Sequence, residues 1–135
     1  MSITLTEADK VALRTAAYGA VELMTTASIA GSPHRAATNG WLALTSATGL
    51  VGHVLAEKQK GEKLDRKSAA RLADQVLPAL TATMGLLKSA DPAEAANFHR
   101  TVTIAVEAAA QTEDGRPSPP VTAMHRKITE ALDAA

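Results

Sequence analysis

Apolar residues recur along this chain at intervals of three and four, the spacing that gathers them on one side of an α-helix. The β-branched residues follow the same spacing, and no strand-turn-strand signal interrupts it. In the first run, Leu13, Ala17, Ala20, Met24 and Ala27 share a stripe. Thr6-Glu7-Ala8-Asp9 opens that run as a capping box, with Asp in the place usual for Glu, and Gly31 closes it.

The second run is the longest. Ser32 is a natural N-cap and Pro33 fits the first helical position, where a missing N–H costs nothing. Gly61, after Lys58 and Lys60, is the stop signal. Between these ends the pattern predicts one continuous central helix. Ala37, Trp41, Leu44, Thr48, Val51 and Leu55 form a bulky stripe along it, and Ala36, Gly40, Ala43, Ala47, Leu50 and Val54 a smaller one beside it. The small stripe suits close approach of a partner backbone.

A polar connection from Gly61 to Lys67 precedes a third helix that starts near Leu64 or Asp65 and runs to about Lys88. Leu72, Val76, Leu80, Met84 and Leu87 are on its face. Pro78 within it is expected to kink the helix or free the carbonyl of Asp74. Asp91-Pro92-Ala93-Glu94 restarts the chain with a cap, a proline and a carboxylate in the first turn. The fourth helix carries Ala95, Phe98, Val102, Ala105 and Ala109 and stops near Thr112, before a proline-rich loop. Ser118-Pro119 repeats the cap-plus-proline signal and opens a short fifth helix with Val121, Met124, Ile128 and Leu132 on one face.

Short connections between long helices imply antiparallel neighbours. The expected fold is all-α: a single helical domain over residues 1–135, an antiparallel up-and-down four-helix bundle with a short fifth C-terminal helix. Mirroring positions about each turn sets Trp41 level with Val21 or Glu22, with Met84 and with Phe98, inside the bundle. By the same rule Glu22 falls near the level of His99.

Composition narrows the classes of function. Only Tyr18, Trp41 and Phe98 are aromatic, 2% of the chain, against an apolar fraction of 46%. Stacking platforms for single-stranded nucleic acid are therefore lacking. Fourteen basic residues balance fourteen acidic ones, so no global field favours nucleic acid or an anionic membrane. The basic cluster around Lys58, Lys63, Arg66 and Arg71 is interleaved with Glu57, Glu62 and Asp65, as in a solvated connection. Residues 36–56 carry no formal charge with His53 neutral, and about 20 residues span a bilayer. Asn39, His53 and the hydroxyl residues make the stretch too weakly hydrophobic for that role. Without cysteine there is no disulfide, thiolate or cysteine metal site, and without a basic-then-apolar leader the expectation is a cytoplasmic protein.

Candidate chemistry is sparse. No phosphate-binding loop, dinucleotide fingerprint, nucleophile elbow or His-Glu-x-x-His motif occurs. His53 and Glu57 stand one turn apart, a legitimate ligand spacing with too few companions for a metal centre. No catalytic residue, metal site or cofactor is assigned. Three histidines precede an arginine: His34-Arg35, His99-Arg100 and His125-Arg126. The first pair begins the second helix, where free N–H groups and the helix dipole favour an anion. Ser32, His34 and Arg35 are thus the candidate ligand-binding residues for a phosphate or carboxylate.

Two functional expectations follow. The leading one is a non-catalytic helical protein that acts through self-association, as a homodimer, or through a protein partner. Its basis is the uncharged, small-residue surface of the first two helices, more than one small core should need. The alternative is a small-molecule (anionic ligand) binding protein or enzyme with its site at the start of the second helix.

Overall fold

The computed structural model describes residues 5–27, 33–57, 63–110 and 118–135. Among them are six α-helices and no strand: α1 (Glu7–Ala27), α2 (Pro33–Thr45), α3 (Gly49–Ala56), α4 (Ala69–Ala90), α5 (Pro92–Ala110) and α6 (Pro119–Asp133). The capping box that opens α1 is formed in both directions. The Thr6 N–H donates to Asp9 Oδ2 and the Asp9 N–H to Thr6 Oγ1, each at 3.0 Å.

The hub of the fold is α1, not the central helix expected after Pro33. It packs against all five other helices, which small side chains allow. Ala16, Ala17 and Ala20 are fully buried. At Gly19 a Cβ would stand only 2.5 Å from Val76 Cγ2, so α4 rides close on α1. On the other side Val21 fills the notch at Gly40 of α2, where a Cβ would meet its Cγ1 at 2.6 Å. The apolar surface of α1 is therefore sheltered within one protomer.

The single long helix expected after Pro33 is two helices. Thr45 and Ser46 return their hydroxyls to the carbonyls of Trp41 and Leu42. These bonds compete with the helical ladder. The last bond tightens to the three-residue kind, from Ala47 N–H to Leu44 O. Thr48 is extended and Gly49 turns to φ +72, a conformation that glycine adopts without a Cβ clash. Helix α3 then leaves in a new direction and buries Val51, Val54 and Leu55.

Trp41 is consequently not in the interior slab. Met84 and Phe98 are buried as expected, while Trp41 is 52% exposed. The buried face of α2 draws on both stripes. Ala36 and Gly40 of the small one and Leu44 of the bulky one face the core, because Gly40 lets α2 approach Val21 closely. Trp41 is rotated towards water, while Val51 and Leu55 of its stripe are buried in α3.

Helix α4 begins later than the pattern suggests, at Ala69. Ser68 is its N-cap and accepts from the Arg71 N–H at 3.1 Å. The preceding strap is pinned by Gln75, whose side chain accepts from Asp65 N–H at 2.7 Å and donates to Lys63 O at 2.9 Å. Pro78 lies on the exposed side and the helix runs through it. Asp91 ends α4 and starts α5. Its N–H donates to Leu87 O at 2.7 Å, and its carboxylate accepts from the Ala93 N–H at 3.0 Å. Helix α6 docks on its own protomer, through Val121, Ile128 and Leu132 and a 2.6 Å bond from the Thr81 hydroxyl to Ala131 O. No helix among the described residues is long and apolar enough to cross a membrane.

Two glycine substitutions separate packing from propensity. In Gly52→Ala the new methyl carbon would lie 2.2 Å from the backbone oxygen of Ala47, which has nowhere to go. The expected loss is roughly 2–3 kcal/mol. Gly85→Ala meets nothing within 4 Å inside α4 and is expected to gain up to about 1 kcal/mol. Urea midpoints at constant m-value measure both.

Candidate functional site

The chemistry-bearing side chains sort by which helix end they hold. Arg14 comes first because its side chain is fully buried. Its Nε donates to Val54 O at 3.2 Å, and its Nη2 donates to the carboxylate of Glu57. One turn along α1, the Tyr18 hydroxyl donates to Leu55 O at 2.9 Å. The last carbonyls of a helix have no partners within it, and here α1 supplies them. Glu57 also lies 3.9 Å from Lys10 Nζ and from His53 Nε2. Burial pushes the Tyr18 phenol above its ordinary pKa, and the Arg14 charge offsets part of that shift. A phenol shifted this way keeps its proton to higher pH, so the hydroxyl stays available to donate to Leu55 O.

The other end of α3 is held from α5. Glu94 Oε1 accepts from the Val51 N–H at 3.2 Å, a carboxylate at the positive end of a helix dipole. Asn97 Nδ2 donates to Thr48 O at 2.9 Å and to Glu94 at 3.3 Å. The Thr48–Asn97 bond thus ties the segment after α2 to α5.

Between these two helices lies an open groove of about 250 Å³. Ala43, Ala47 and Ile104 give it an apolar wall; Ser46, Thr48, Asn97, Arg100 and Thr101 line the rest. Beside it Leu42 is 61% and Ile104 51% exposed, and Trp41 is half exposed on the adjoining face of α2.

Of the residues singled out for an anion site, Ser32 and the side chain of His34 lie outside the described residues, and Arg35 is exposed in the first turn of α2. Glu22 and His99 do not meet. Glu22 pairs with Arg66 Nε at 2.9 Å, and His99 Nε2 lies 2.8 Å from Asp133 on α6. The third described pair sets His125 Nε2 3.9 Å from Glu107. His99 and His125 therefore link α5 and α6 in antiparallel register. Among the described residues no group of three or more His, Asp or Glu side chains could hold a metal ion. Arg14 was invisible to a reading of local motifs. Its only signal is a lone cation three residues before Ala17 in an otherwise uncharged apolar stretch.

No known protein family matches the chain, and neither a curated protein nor a solved structure does.

Two variants test the α3 anchor. Arg14→Met strands the Val54 carbonyl and the Glu57 carboxylate, with an expected loss of roughly 2–4 kcal/mol by chemical denaturation. For Tyr18 the sign follows from the raised pKa. The neutral phenol is the form that the folded state favours, so its contribution is complete below a pH of about 10 and is lost as pH rises through the folded value. Wild type should therefore lose more stability than Tyr18→Phe between neutral and strongly alkaline pH. Phenolate absorbance of this single tyrosine gives the titration directly.

Proposed function

We propose that this is a non-catalytic helical protein that acts by self-association, its partner a second copy of the chain. The observation that carries the reading is the pairing of Trp41 with Leu42, successive residues of α2 that are both more than half exposed. Successive helical positions stand about 100° apart, so together they form an apolar patch on the outer side of α2 between the exposed Thr38 and Thr45, and Ile104 of α5 adds to the exposed apolar surface. Aromatic anchors on an otherwise uncharged patch are the usual centre of a protein interface. Because α1 is already covered, association through the first two helices reduces to the outer side of α2.

Four helices make the frame in this reading: α1, α2, α5 and α4 each pack on the next around a closed ring, an antiparallel four-helix arrangement with α3 and α6 laid on it. The non-catalytic part of the proposal rests on the histidines, whose described side chains each face a surface carboxylate on a different stretch of the molecule. A chain without cysteine fits a cytoplasmic setting.

Light scattering on a sizing column is the test. The expected result is a dimer at micromolar concentration, with Trp41 emission shifting to the blue as concentration rises. Trp41→Ser with Leu42→Ser should yield a monomer whose stability stays within about 1 kcal/mol, as for exposed sites. A wild-type monomer with concentration-independent emission overturns the proposal.

A further inference from the structure

The groove between α2 and α5 holds three polar side chains with nothing to do. Arg100 has no carboxylate three or four residues away on its own helix, where Ala96, Asn97, Thr103 and Ile104 stand. It has no hydrogen bond or ion pair among the described residues. Thr48 occupies the N-cap of α3, yet its hydroxyl makes no capping bond, since Glu94 has taken that duty. Thr101 is the third. It is 6% exposed and lines the groove, but its hydroxyl has no hydrogen bond among the described residues. Seven other helical threonines, Thr15, Thr25, Thr26, Thr45, Thr81, Thr103 and Thr129, return theirs to the preceding turn. Among the described residues the enclosed orphan hydroxyl is Thr83 Oγ1; the Thr101 hydroxyl is open to the groove and can bond what enters it.

The three groups are all donors, and a guanidinium among them selects negative charge. Beside them, Ala43, Ala47 and Ile104 supply an apolar lining. Glu94, one turn before Asn97, is engaged by the Val51 N–H and by Asn97, so its charge is directed into α3 and not into the groove. At about 250 Å³ the space lies just below the range typical of ligand pockets, which limits the occupant to a fragment-sized molecule.

We propose that this groove binds a small carboxylate with a short apolar body, its head on Arg100, Thr48 and Thr101 and its tail along Ala43, Ala47 and Ile104. Arg100 supplies the charge-assisted bonds and the two hydroxyls complete them. This site is distinct from the start of α2 and does not depend on self-association through Trp41 and Leu42.

Hexanoate serves as the probe, followed by amide and methyl chemical shifts of the full chain. For so few heavy atoms the dissociation constant should be of order 1 mM. Shifts should concentrate at Ser46, Thr48, Arg100, Thr101 and the Ile104 methyls. Hexanol, of the same length without charge, and acetate, charged without a tail, should each bind at least tenfold more weakly. Arg100→Gln should lose at least tenfold in hexanoate affinity while its circular dichroism and its oligomeric state match the wild type. Ile104→Ser should weaken hexanoate but leave acetate unchanged. Equal affinity of Arg100→Gln and wild type, equal response to hexanol, or shifts absent from the groove overturns the proposal, whatever the sizing column shows.

Discussion

A guanidinium cut off from water persists only where acceptors surround it, since leaving a buried charge unpaired costs several kcal/mol. Arg14 meets that condition by drawing in the end of another helix. Val54 O and the Glu57 carboxylate are its partners, and Tyr18 takes the next carbonyl. One of its nitrogens, Nη1, is buried with no partner among the described residues, so the remaining bonds matter more. Eight residues are too few for a helix to persist alone in water. Helix α3 exists because α1 holds its last carbonyls and α5, through Glu94 and Asn97, holds its start. Both sets of ties are side chains of other helices, so α3 forms only once α1 and α5 have met.

That dependence explains which parts of the fold were legible from residues alone. Local signals held at two helix starts and not at others: Ser118 makes no side-chain capping bond, and α4 starts at Ala69, past Leu64 and Asp65. Thr6 with Asp9, and Asp91 with Ala93, cap their helices as the spacing implies. The stripes of α4, α5 and α6 are the buried ones. Where the outcome turned on a distant partner, local signals misled. Nothing between Pro33 and Ala56 forbids a continuous helix except glycines and hydroxyls, each of which a helix tolerates at a cost near 1 kcal/mol. The ties at both ends of α3 outweigh the bonds lost at the break. Those ties join residues forty or more positions apart, beyond the reach of periodicity.

The exposure of Trp41 has a similar origin. Its own stripe is otherwise represented in the core by Leu44, Val51 and Leu55. Trp41 itself is displaced, because Gly40 against Val21 brings two backbones together and a tryptophan there would hold them apart. The same chain that lacks aromatic residues for its core leaves its one tryptophan outside. Alanine and glycine do in this interior what larger side chains do elsewhere, by shortening distances between helices instead of filling space between them.

The candidate site follows from the break and not from any motif. A straight helix from Pro33 to Ala56 would carry Ala47 and Thr48 on past Asn97 with their backbone groups satisfied. Ending α2 at Thr45 leaves Thr48 extended, its carbonyl tied to Asn97 and its hydroxyl idle. The groove opens where the ladder stops, and Arg100 and Thr101 border it because Asn97, one turn earlier on α5, is the residue that catches the loose end. Hence the His99-Arg100 pair divides its labour: His99 turns to Asp133 and secures α6, while Arg100, on the other side of the same helix turn, faces the opening. A structural need, capturing α3, therefore places a cation and two hydroxyls around one small space, and the chemistry there is set by what the capture leaves unused.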